Sequence, residues 1–194
     1  LPNLIKLADI QGDLHVHTNA TDGSDSLRQM VECAQELGYR YMAVTDHSKR
    51  MRIAHGMDER RLRRQLAQID RLNQQLRGLV VLKGVEVDIL EDGKLDLSEN
   101  ILKELDLTVC AVHSGFNLDR RKQTERVIRA MDNPYFNILA HPTGRLINQR
   151  DAYEIDIATR RVRNLTRGFP HQGIMRIQYL PNGGQVVGAY TGYE

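Results

Sequence analysis

The chain has 194 residues, of which 41% are hydrophobic and 27% charged, and its formal net charge at pH 7 is +2. This length and composition predict one soluble globular domain, and the lack of an apolar run long enough to span a bilayer argues against a membrane protein. The sequence opens without a secretory-signal pattern, so we expect a cytoplasmic location. Both cysteines, Cys33 and Cys110, lie in segments with apolar patterning, and we expect them to be buried thiols.

Charge is distributed unevenly along the chain. Residues 158–194 contain five arginines and one glutamate, a net charge of +4, so residues 1–157, with 22 basic and 24 acidic residues, sum to −2. A local basic stretch runs from Lys49 to Arg64 and could contact a phosphate backbone. A solvated helix face is the commoner explanation of such a run.

Strand and helix patterns alternate along the first 157 residues. Strands are predicted at about 13–17, 41–45, 79–87, 107–112 and 136–140, where apolar residues cluster or alternate between turn residues. Helices are predicted at 27–37, after a capping box of Ser26 and Gln29, and at 62–76, 98–105 and 119–131. Five strands alternating with helices predict an α/β fold with a parallel sheet, either an open doubly wound sheet or part of a barrel.

The pattern changes after residue 157. The remaining residues hold six of the fifteen glycines, and no helical spacing of apolar residues follows. Residues 174–180 and 185–190 flank an Asn-Gly-Gly turn signal, which predicts an antiparallel strand pair. We therefore predict a boundary here, between a body at 1–157 and an atypical basic, glycine-rich tail at 158–194.

Imidazole and carboxylate side chains fall at the carboxyl ends of the predicted strands, the edge where parallel α/β folds place their sites. His15 and His17 project from the same face of one strand, because strand side chains alternate. Imidazoles and carboxylates together bind Zn, Mn or Fe. A single histidine is more often structural, but the repeated position indicates a metal site. The residues concerned are His15, His17, Asp46, His47, Glu86, His113 and His141, whereas His55 and His171 fall outside the pattern and are expected at the surface or in loops.

The segments that carry these residues resemble the ordered motifs of the polymerase-and-histidinol-phosphatase, or PHP, superfamily. These segments are His15-Val16-His17-Thr18 with Asp22-Gly23, Thr45-Asp46-His47-Ser48, Gly84-Val85-Glu86-Val87, Ala111-Val112-His113-Ser114 and Ala140-His141-Pro142. The resemblance covers about residues 1–157. More narrowly, residues 9–14, 141–146 and 153–156 are similar to the carboxy-terminal PHP domain of bacterial family X DNA polymerases.

The resemblance implies a distorted, TIM-like (β/α) barrel of seven strands that holds up to three divalent metal ions, with Mn as the first expectation and Zn or Fe as alternatives. By motif position, Glu86 bridges two ions. The first ion would be held by His15, His17 and Glu86, the second by Glu86, His113 and His141, and the third by Asp22 and His47.

The same resemblance implies a metal-dependent phosphoesterase, and most narrowly a 3′-5′ exonuclease that processes DNA ends in repair, beside a polymerase domain that precedes it in the parent chain. Clustered cations would activate water and neutralise phosphate charge, with Glu86 and His113 at the reacting centre. Arg145 could bind a phosphate oxygen, as could Lys49 and Arg50. Two alternatives stay open: a stand-alone phosphomonoesterase of the histidinol-phosphatase kind, and a non-catalytic module that braces a polymerase or binds DNA.

The sequence departs from the superfamily pattern at its carboxy-terminal end. The pattern closes with an Asp-x-His motif that supplies an Asp to the first ion and a His to the third, and no aspartate follows Asp156 here. By motif, only the second ion keeps its full set of ligands. We hypothesise that residues from about 158 onward are a frame-shifted or foreign segment that replaces the last two strand-helix units and leaves the barrel incomplete.

Overall fold

The computed structural model describes residues 4–142 in full and, beyond them, the backbone of four strands. The chain divides into two compact units, Leu1–Ala140 and His141–Glu194. The strands of the first unit are β1 (Gly12–Val16), β2 (Tyr41–Val44), β3 (Val80–Lys83), β4 (Glu86–Asp88), β5 (Val109–Ala111) and β6 (Ile138–Leu139). Its helices are α1 (Leu27–Glu36), α2 (Glu59–Gln75), α3 (Glu99–Leu102) and α4 (Arg120–Met131), with 3-10 turns at Leu7–Asp9 and Arg52–Ala54.

The six strands of the first unit pair in parallel. β1, β2 and β3 form one sheet in that order, and β4, β5 and β6 form a second. The two sheets are joined, because the Glu86 amide of β4 donates to the carbonyl of Thr45, the residue after β2, at 3.1 Å. β3 and β4 are therefore two parts of one extended segment, and the five predicted strands are confirmed as neighbours in chain order.

The segment predicted as one strand at 79–87 is interrupted at Gly84 and Val85. The Gly84 amide donates to the Val44 carbonyl at 3.0 Å, and a Cβ at this glycine would lie 2.8 Å from the same oxygen. Glycine is needed there because any larger residue would collide with β2. After the interruption the chain pairs with the residues that follow β2, so Glu86 begins β4 beside His47.

Helices α1 and α2 supply the apolar side chains that cover one face of β2. Ser26 caps α1 and shares a capping box with Gln29, as predicted, and Asp58 caps α2. A smaller apolar cluster contacts the other face through Ala43. β2 is thus covered on both faces, which its continuous apolar run predicts. The buried members of the main cluster are Val16, Val31, Ala34, Met42, Val44, Ile69, Leu79 and Val81.

In the second unit the structure describes β7 (Tyr153–Asp156), β8 (Arg161–Asn164), β9 (Gly173–Tyr179) and β10 (Gln185–Tyr190). β7 pairs antiparallel with β8, and β9 pairs antiparallel with β10. The strand pair predicted at 174–180 and 185–190 is confirmed. The described residues establish a mixed α/β fold with parallel sheets; closure into a seven-stranded barrel, the boundary at residue 157 and the frame-shifted tail stay predictions.

The two cysteines differ in their surroundings. Cys110 is buried, as predicted, and desolvation raises the pKa of its thiol to about 11. Cys33 is exposed, so that prediction was wrong. Val31 and Ala34 set the buried face of α1, and position 33 points away from it, because successive helical residues are rotated by about 100°. Among the described residues, no helix has the length and apolar character to cross a membrane.

Arg126, on α4, is a buried cation inside the first unit. It is 1% exposed. Its Nε donates to the Leu90 carbonyl at 2.9 Å, its Nη1 donates to the Ser114 carbonyl at 2.7 Å, and its Nη2 donates to the Ile89 carbonyl. A guanidinium tolerates burial only where its donors are satisfied. Arg126 therefore holds α4 against the loops that follow β4 and β5.

We predict that Arg126→Ala lowers the free energy of unfolding by about 3 kcal/mol, because buried carbonyls lose their donor. Arg129→Ala is the matched control on the same helix. Arg129 is exposed and donates to the Asp92 carbonyl, and its loss should cost less than about 1 kcal/mol. Urea unfolding followed by circular dichroism measures both variants. Equal losses would contradict the role assigned to Arg126.

Candidate metal centre

The carboxylate of Glu86, which is 2% exposed, lies among four imidazole rings. Its Oε2 is 3.2 Å from His17 Nε2 and 3.3 Å from His47 Nδ1. The same oxygen is 3.7 Å from His15 Nε2. Its Oε1 faces the other side of the group, 3.3 Å from His113 Nε2. One buried carboxylate therefore contacts all four histidines, with each of its oxygens directed at a different part of the group.

Sheet topology brings these side chains together. His15 and His17 come from β1 and the residue after it, and their ring centroids are 5.0 Å apart. His47 follows β2 and forms a parallel bridge with Glu86. His113 follows β5, which pairs with β4. Neighbouring parallel strands end at the same edge of a sheet, so residues far apart in the chain meet there, as the sequence predicted.

Asp22 joins this group from the loop between β1 and α1. Its Oδ1 is 2.9 Å from His17 Nδ1, and its Oδ2 is 3.3 Å from His47 Nε2. The loop returns closely over the end of β1: a Cβ at Gly23 would lie 2.7 Å from the His17 carbonyl oxygen. We call the six residues the strand-end cluster: His15, His17, Asp22, His47, Glu86 and His113.

Three triads in the strand-end cluster have the spacing of metal ligands, with one nitrogen or oxygen atom from each residue within 4.8 Å of the others. Imidazole and carboxylate donors suit Zn, Mn and Fe. Within residues 4–142, the buried His47 Nδ1 has no hydrogen-bond partner, as expected of a nitrogen kept for a cation. The residues therefore fit divalent metal ions. The triads are His15, His17 and Glu86; His17, Asp22 and His47; and His47, Glu86 and His113.

The predicted ligand sets can be compared with these triads. The set implied for the first ion is one of the triads, and Asp22 and His47, implied for the third ion, lie together in another. Glu86 and His113 are in contact, as implied for the second ion. The structure brings these residues together, while their role as ligands and the assignment of each residue to a particular ion stay predictions.

The remaining predicted site residues belong to the second unit. His141 begins that unit, is exposed and has a positive φ of 27°. Its role as a metal ligand stays a prediction. Arg145 and His171 lie outside the described residues. His55, in the first unit, is exposed after a 3-10 turn, in agreement with the loop position expected for it.

Burial and nearby carboxylates shift the pKa values of the histidines in opposite directions. Burial favours a lower pKa for His17, but hydrogen bonds to Glu86 and Asp22 outweigh it and raise the pKa. Burial also opposes protonation of His113, yet Asp88 and Glu86 raise its pKa to about 9. For His47 burial prevails, and its pKa is lowered. Without a cation, the carboxylates thus retain protons on His17 and His113, and a metal ion would take the place of that positive charge.

Asp46 has a structural role that its position at a strand end did not reveal. This residue is fully buried. Its Oδ1 accepts from the Thr18 amide at 2.8 Å and from the Thr21 hydroxyl at 2.5 Å. Its Oδ2 accepts from the Thr18 hydroxyl and from Gln65 Nε2, each at 2.6 Å. Because Thr18 and Thr21 belong to the loop that carries Asp22, Asp46 holds this loop against α2.

Two further residues, neither of them predicted from the sequence, orient ligand histidines. Asp88 Oδ1 is 3.2 Å from His113 Nδ1, and Thr45 Oγ1 is 2.9 Å from His15 Nδ1. A partner at Nδ1 selects the tautomer and directs Nε2 of the same ring toward the metal position. Asp88 could have been identified from the strand period, since it lies two residues after Glu86 and therefore on the same face of β4.

We predict that Asp46→Asn lowers divalent-ion affinity at the triad that contains Asp22 by about tenfold, as removal of a ligand-supporting partner does. An asparagine offers one acceptor oxygen where the carboxylate met four donors, so the loop loses its fixed position. Asp25→Asn, an exposed change in the same loop that leaves the hydrogen bonds to Asp46 in place, is the control. Mn²⁺ titration followed by electron paramagnetic resonance measures affinity, and circular dichroism checks folding. Unchanged affinity in a folded Asp46→Asn protein would contradict the prediction.

We predict that, as the pH rises, the thermal stability of the metal-free protein decreases whereas that of the metal-loaded protein increases. Because the pKa of His113 is raised from 6.5 to about 9, its protonation stabilises the metal-free fold below pH 6.5, and this contribution is lost as the pH rises through about 9. A metal ion needs the unprotonated nitrogen, so its affinity increases over the same range. Thermal unfolding with EDTA or Mn²⁺ measures both trends, and His113→Gln should flatten the metal-free one. A metal-free melting temperature that rises over this range would oppose the prediction.

Comparison with known proteins identifies the same family as the motifs. The PHP domain matches residues 13–166. The chain is 46% identical over 154 residues to "DNA polymerase/3′-5′ exonuclease PolX" of Bacillus subtilis (strain 168), covering 79% of this chain and 27% of that protein. It is 32% identical over 136 residues to a "Probable phosphatase" of Thermoanaerobacter sp. (strain X514), covering 66% and 53%, respectively. A "Probable phosphatase" of Caldicellulosiruptor bescii is 30% identical over 154 residues, covering 76% and 58%.

The chain therefore spans about a quarter of the length of PolX and about half that of the two phosphatases. The matched range contains every residue of the strand-end cluster. It begins at residue 13 and extends nine residues beyond the predicted boundary at 157. The resemblance drawn from the sequence motifs is confirmed: this chain belongs to the PHP domain family.

Proposed function

We propose that this chain is a metal-dependent phosphoesterase. The observation that carries the proposal is the contact of one buried carboxylate, Glu86, with four imidazoles at 3.2 to 3.7 Å, in three triads with the spacing of metal ligands. Membership of the PHP family supports the same reaction class, as do relatives whose names describe an exonuclease and phosphatases.

The strand-end cluster would hold the ions by the three triads, and His141 stays a further predicted ligand. Divalent cations supply an activated water and offset negative charge on phosphate oxygens during ester cleavage. The protein's own contribution is to hold the donor atoms in place. Glu86 spans the group with its two oxygens, while Asp88 and Thr45 keep the rings of His113 and His15 in one orientation. Arg145 remains a proposed phosphate contact.

Within this reaction class we propose 3′-5′ exonuclease activity on DNA ends, with Mn as the first metal and Zn or Fe as alternatives. The 46% identity to a relative named as a polymerase and 3′-5′ exonuclease supports this substrate. A polymerase domain earlier in the parent chain, a role in DNA repair and a cytoplasmic location belong to the same proposal.

Two other functions have specific observations in their favour. Relatives named as phosphatases, about 32% identical, favour a phosphomonoesterase such as a histidinol phosphatase. The lack of an Asp-x-His motif after Asp156 favours a non-catalytic module that braces a polymerase or binds DNA. We prefer the exonuclease proposal because the sequence identity of this chain to PolX is higher than its identity to the phosphatases.

We expect Mn²⁺-dependent shortening of a 5′-labelled oligonucleotide from its 3′ end, and little release of phosphate from histidinol phosphate assayed in parallel. Glu86→Gln should reduce the rate by at least about 100-fold, because the shared charge of the ligand set is lost. Glu36→Gln, at an exposed position of α1, is the control. Phosphate release from histidinol phosphate alone would favour the phosphomonoesterase. No cleavage, with less than about one ion bound per chain, would favour the non-catalytic module.

A further inference from the structure

A cavity of about 440 Å³ lies between residues that follow β2 and residues that follow β4. Its size is within the range of about 300 to 1,000 Å³ usual for small-molecule sites. Three basic residues, three leucines, a glutamate, a serine and a buried aspartate line it, and we call it the loop cavity. The lining residues used below are Lys49, Arg50, Arg52, Glu59, Leu95, Asp96 and Leu97.

Three cationic side chains surround the loop cavity. Lys49, Arg50 and Arg52 are all exposed. Within residues 4–142, none of the three side chains has a carboxylate oxygen within ion-pair distance, although Glu59 and Asp96, which line the same cavity, attract Lys49. The three cations outnumber the two carboxylates of the cavity, Glu59 and Asp96, so an anion placed among the cations is favoured. Arginine in particular matches the geometry of phosphate oxygens.

The floor of the loop cavity offers a hydrogen-bond acceptor. Asp96 is 6% exposed, and its Oδ2 accepts from the Arg50 amide at 3.0 Å. Its Oδ1 is buried and makes no hydrogen bond of good geometry within residues 4–142, while the Ser48 hydroxyl interacts with the same carboxylate. A buried acceptor left in this state costs free energy, which a donor group on a ligand would recover. The buried side chains of Leu95 and Leu97 add an apolar wall.

Short contacts connect this floor to the strand-end cluster. The Asp96 amide donates to the Asp88 carbonyl at 3.1 Å, and the Asp88 carboxylate is 3.2 Å from His113. The Asp88 amide also donates to the hydroxyl of Ser48, the residue that separates His47 from Lys49. The loop cavity is therefore adjacent to the metal cluster, and Asp88 lies between the two.

We propose that the loop cavity binds a nucleotide unit of the substrate strand, with a phosphate against Lys49, Arg50 and Arg52 and an N–H or O–H group directed at Asp96 Oδ1. The inference rests on the proposed phosphoesterase function and narrows its substrate. A phosphomonoester has one phosphate, and that phosphate would bind at the metal cluster. A second phosphate site beside that cluster therefore requires a substrate with at least two phosphates, and a nucleic acid strand also supplies the donor and a base for the leucine wall.

We call Lys49, Arg50 and Arg52 the rim of the loop cavity. The role of their positive charge is tested by oligonucleotide binding in EDTA, where no cleavage takes place. The variant is Lys49→Ala/Arg50→Ala/Arg52→Ala. Its control, Arg60→Ala/Arg64→Ala/Arg71→Ala, removes the same charge from exposed positions of α2. Fluorescence anisotropy of a labelled eight-nucleotide strand should show an affinity at least about tenfold lower in the rim variant than in the control. The slope of log affinity against log salt should also be shallower by about 0.7, the contribution of one phosphate contact on a single strand.

The acceptor on the floor is tested by Asp96→Asn. The asparagine oxygen would stay with the Arg50 amide, so an NH₂ group would replace the Oδ1 acceptor and meet the ligand's donor. Deoxyadenosine monophosphate should therefore compete with the labelled strand about tenfold less well in this variant. Inorganic phosphate, which can accept from that NH₂ group, should compete no less well than before. Equal loss for both competitors would overturn the role of Asp96.

The outcomes separate this proposal from the proposed activity. If the protein cleaves DNA but its rim and control variants bind the strand equally, the proposed role of the loop cavity is overturned and the exonuclease proposal stands. A protein that cleaves neither DNA nor histidinol phosphate, but whose rim variant alone loses strand binding, supports the cavity and contradicts the activity. Circular dichroism checks each variant, and Lys49→Gln/Arg52→Gln gives a milder change with the same expected direction.

Discussion

The structure depends on one electrostatic constraint, the burial of the Glu86 carboxylate at the carboxyl edge of a parallel sheet. A charge withdrawn from water is tolerated only if nearby positive charge or donors compensate for it. Four imidazoles surround this carboxylate, and in the absence of a cation two of them have raised pKa values, which lets protons supply part of the compensation. The same arrangement makes the edge of the sheet a place where divalent cations are strongly favoured.

Around this charge, buried polar residues hold the ligands from behind. Asp46 holds the loop that bears Asp22, Asp88 orients His113, and Arg126 joins α4 to the loops after β4 and β5. Each is almost fully buried, so each interaction acts where water does not compete for it. The loops at this edge are consequently positioned by specific hydrogen bonds, which is what a metal site of defined geometry requires.

The loop cavity extends this edge of the sheet in the direction of the residues after β4. Asp88 connects the strand-end cluster to the basic rim of the loop cavity. As proposed, metal ions at the cluster would bind one phosphate and the rim would bind another. As proposed above, such a pair of anion sites would favour a phosphodiester strand over a small monoester, and the higher identity to PolX than to the phosphatases supports that proposal. Substrate choice would then reside in the loops, while the reaction class resides in the strand ends.

The sequence by itself determined the alternation of strands and helices, the parallel sheet and five of the six cluster residues, because strand period and strand-end position are local properties that a single chain displays. Asp22, which lies in a loop, followed only from the family resemblance. Tertiary structure decided which ring nitrogen of each histidine faces Glu86, and it made Asp46 a hydrogen-bond centre for the loop of Asp22. It also decided the exposure of Cys33 and the burial of Arg126. These features depend on contacts between residues far apart in the chain, and no local pattern encodes such distances.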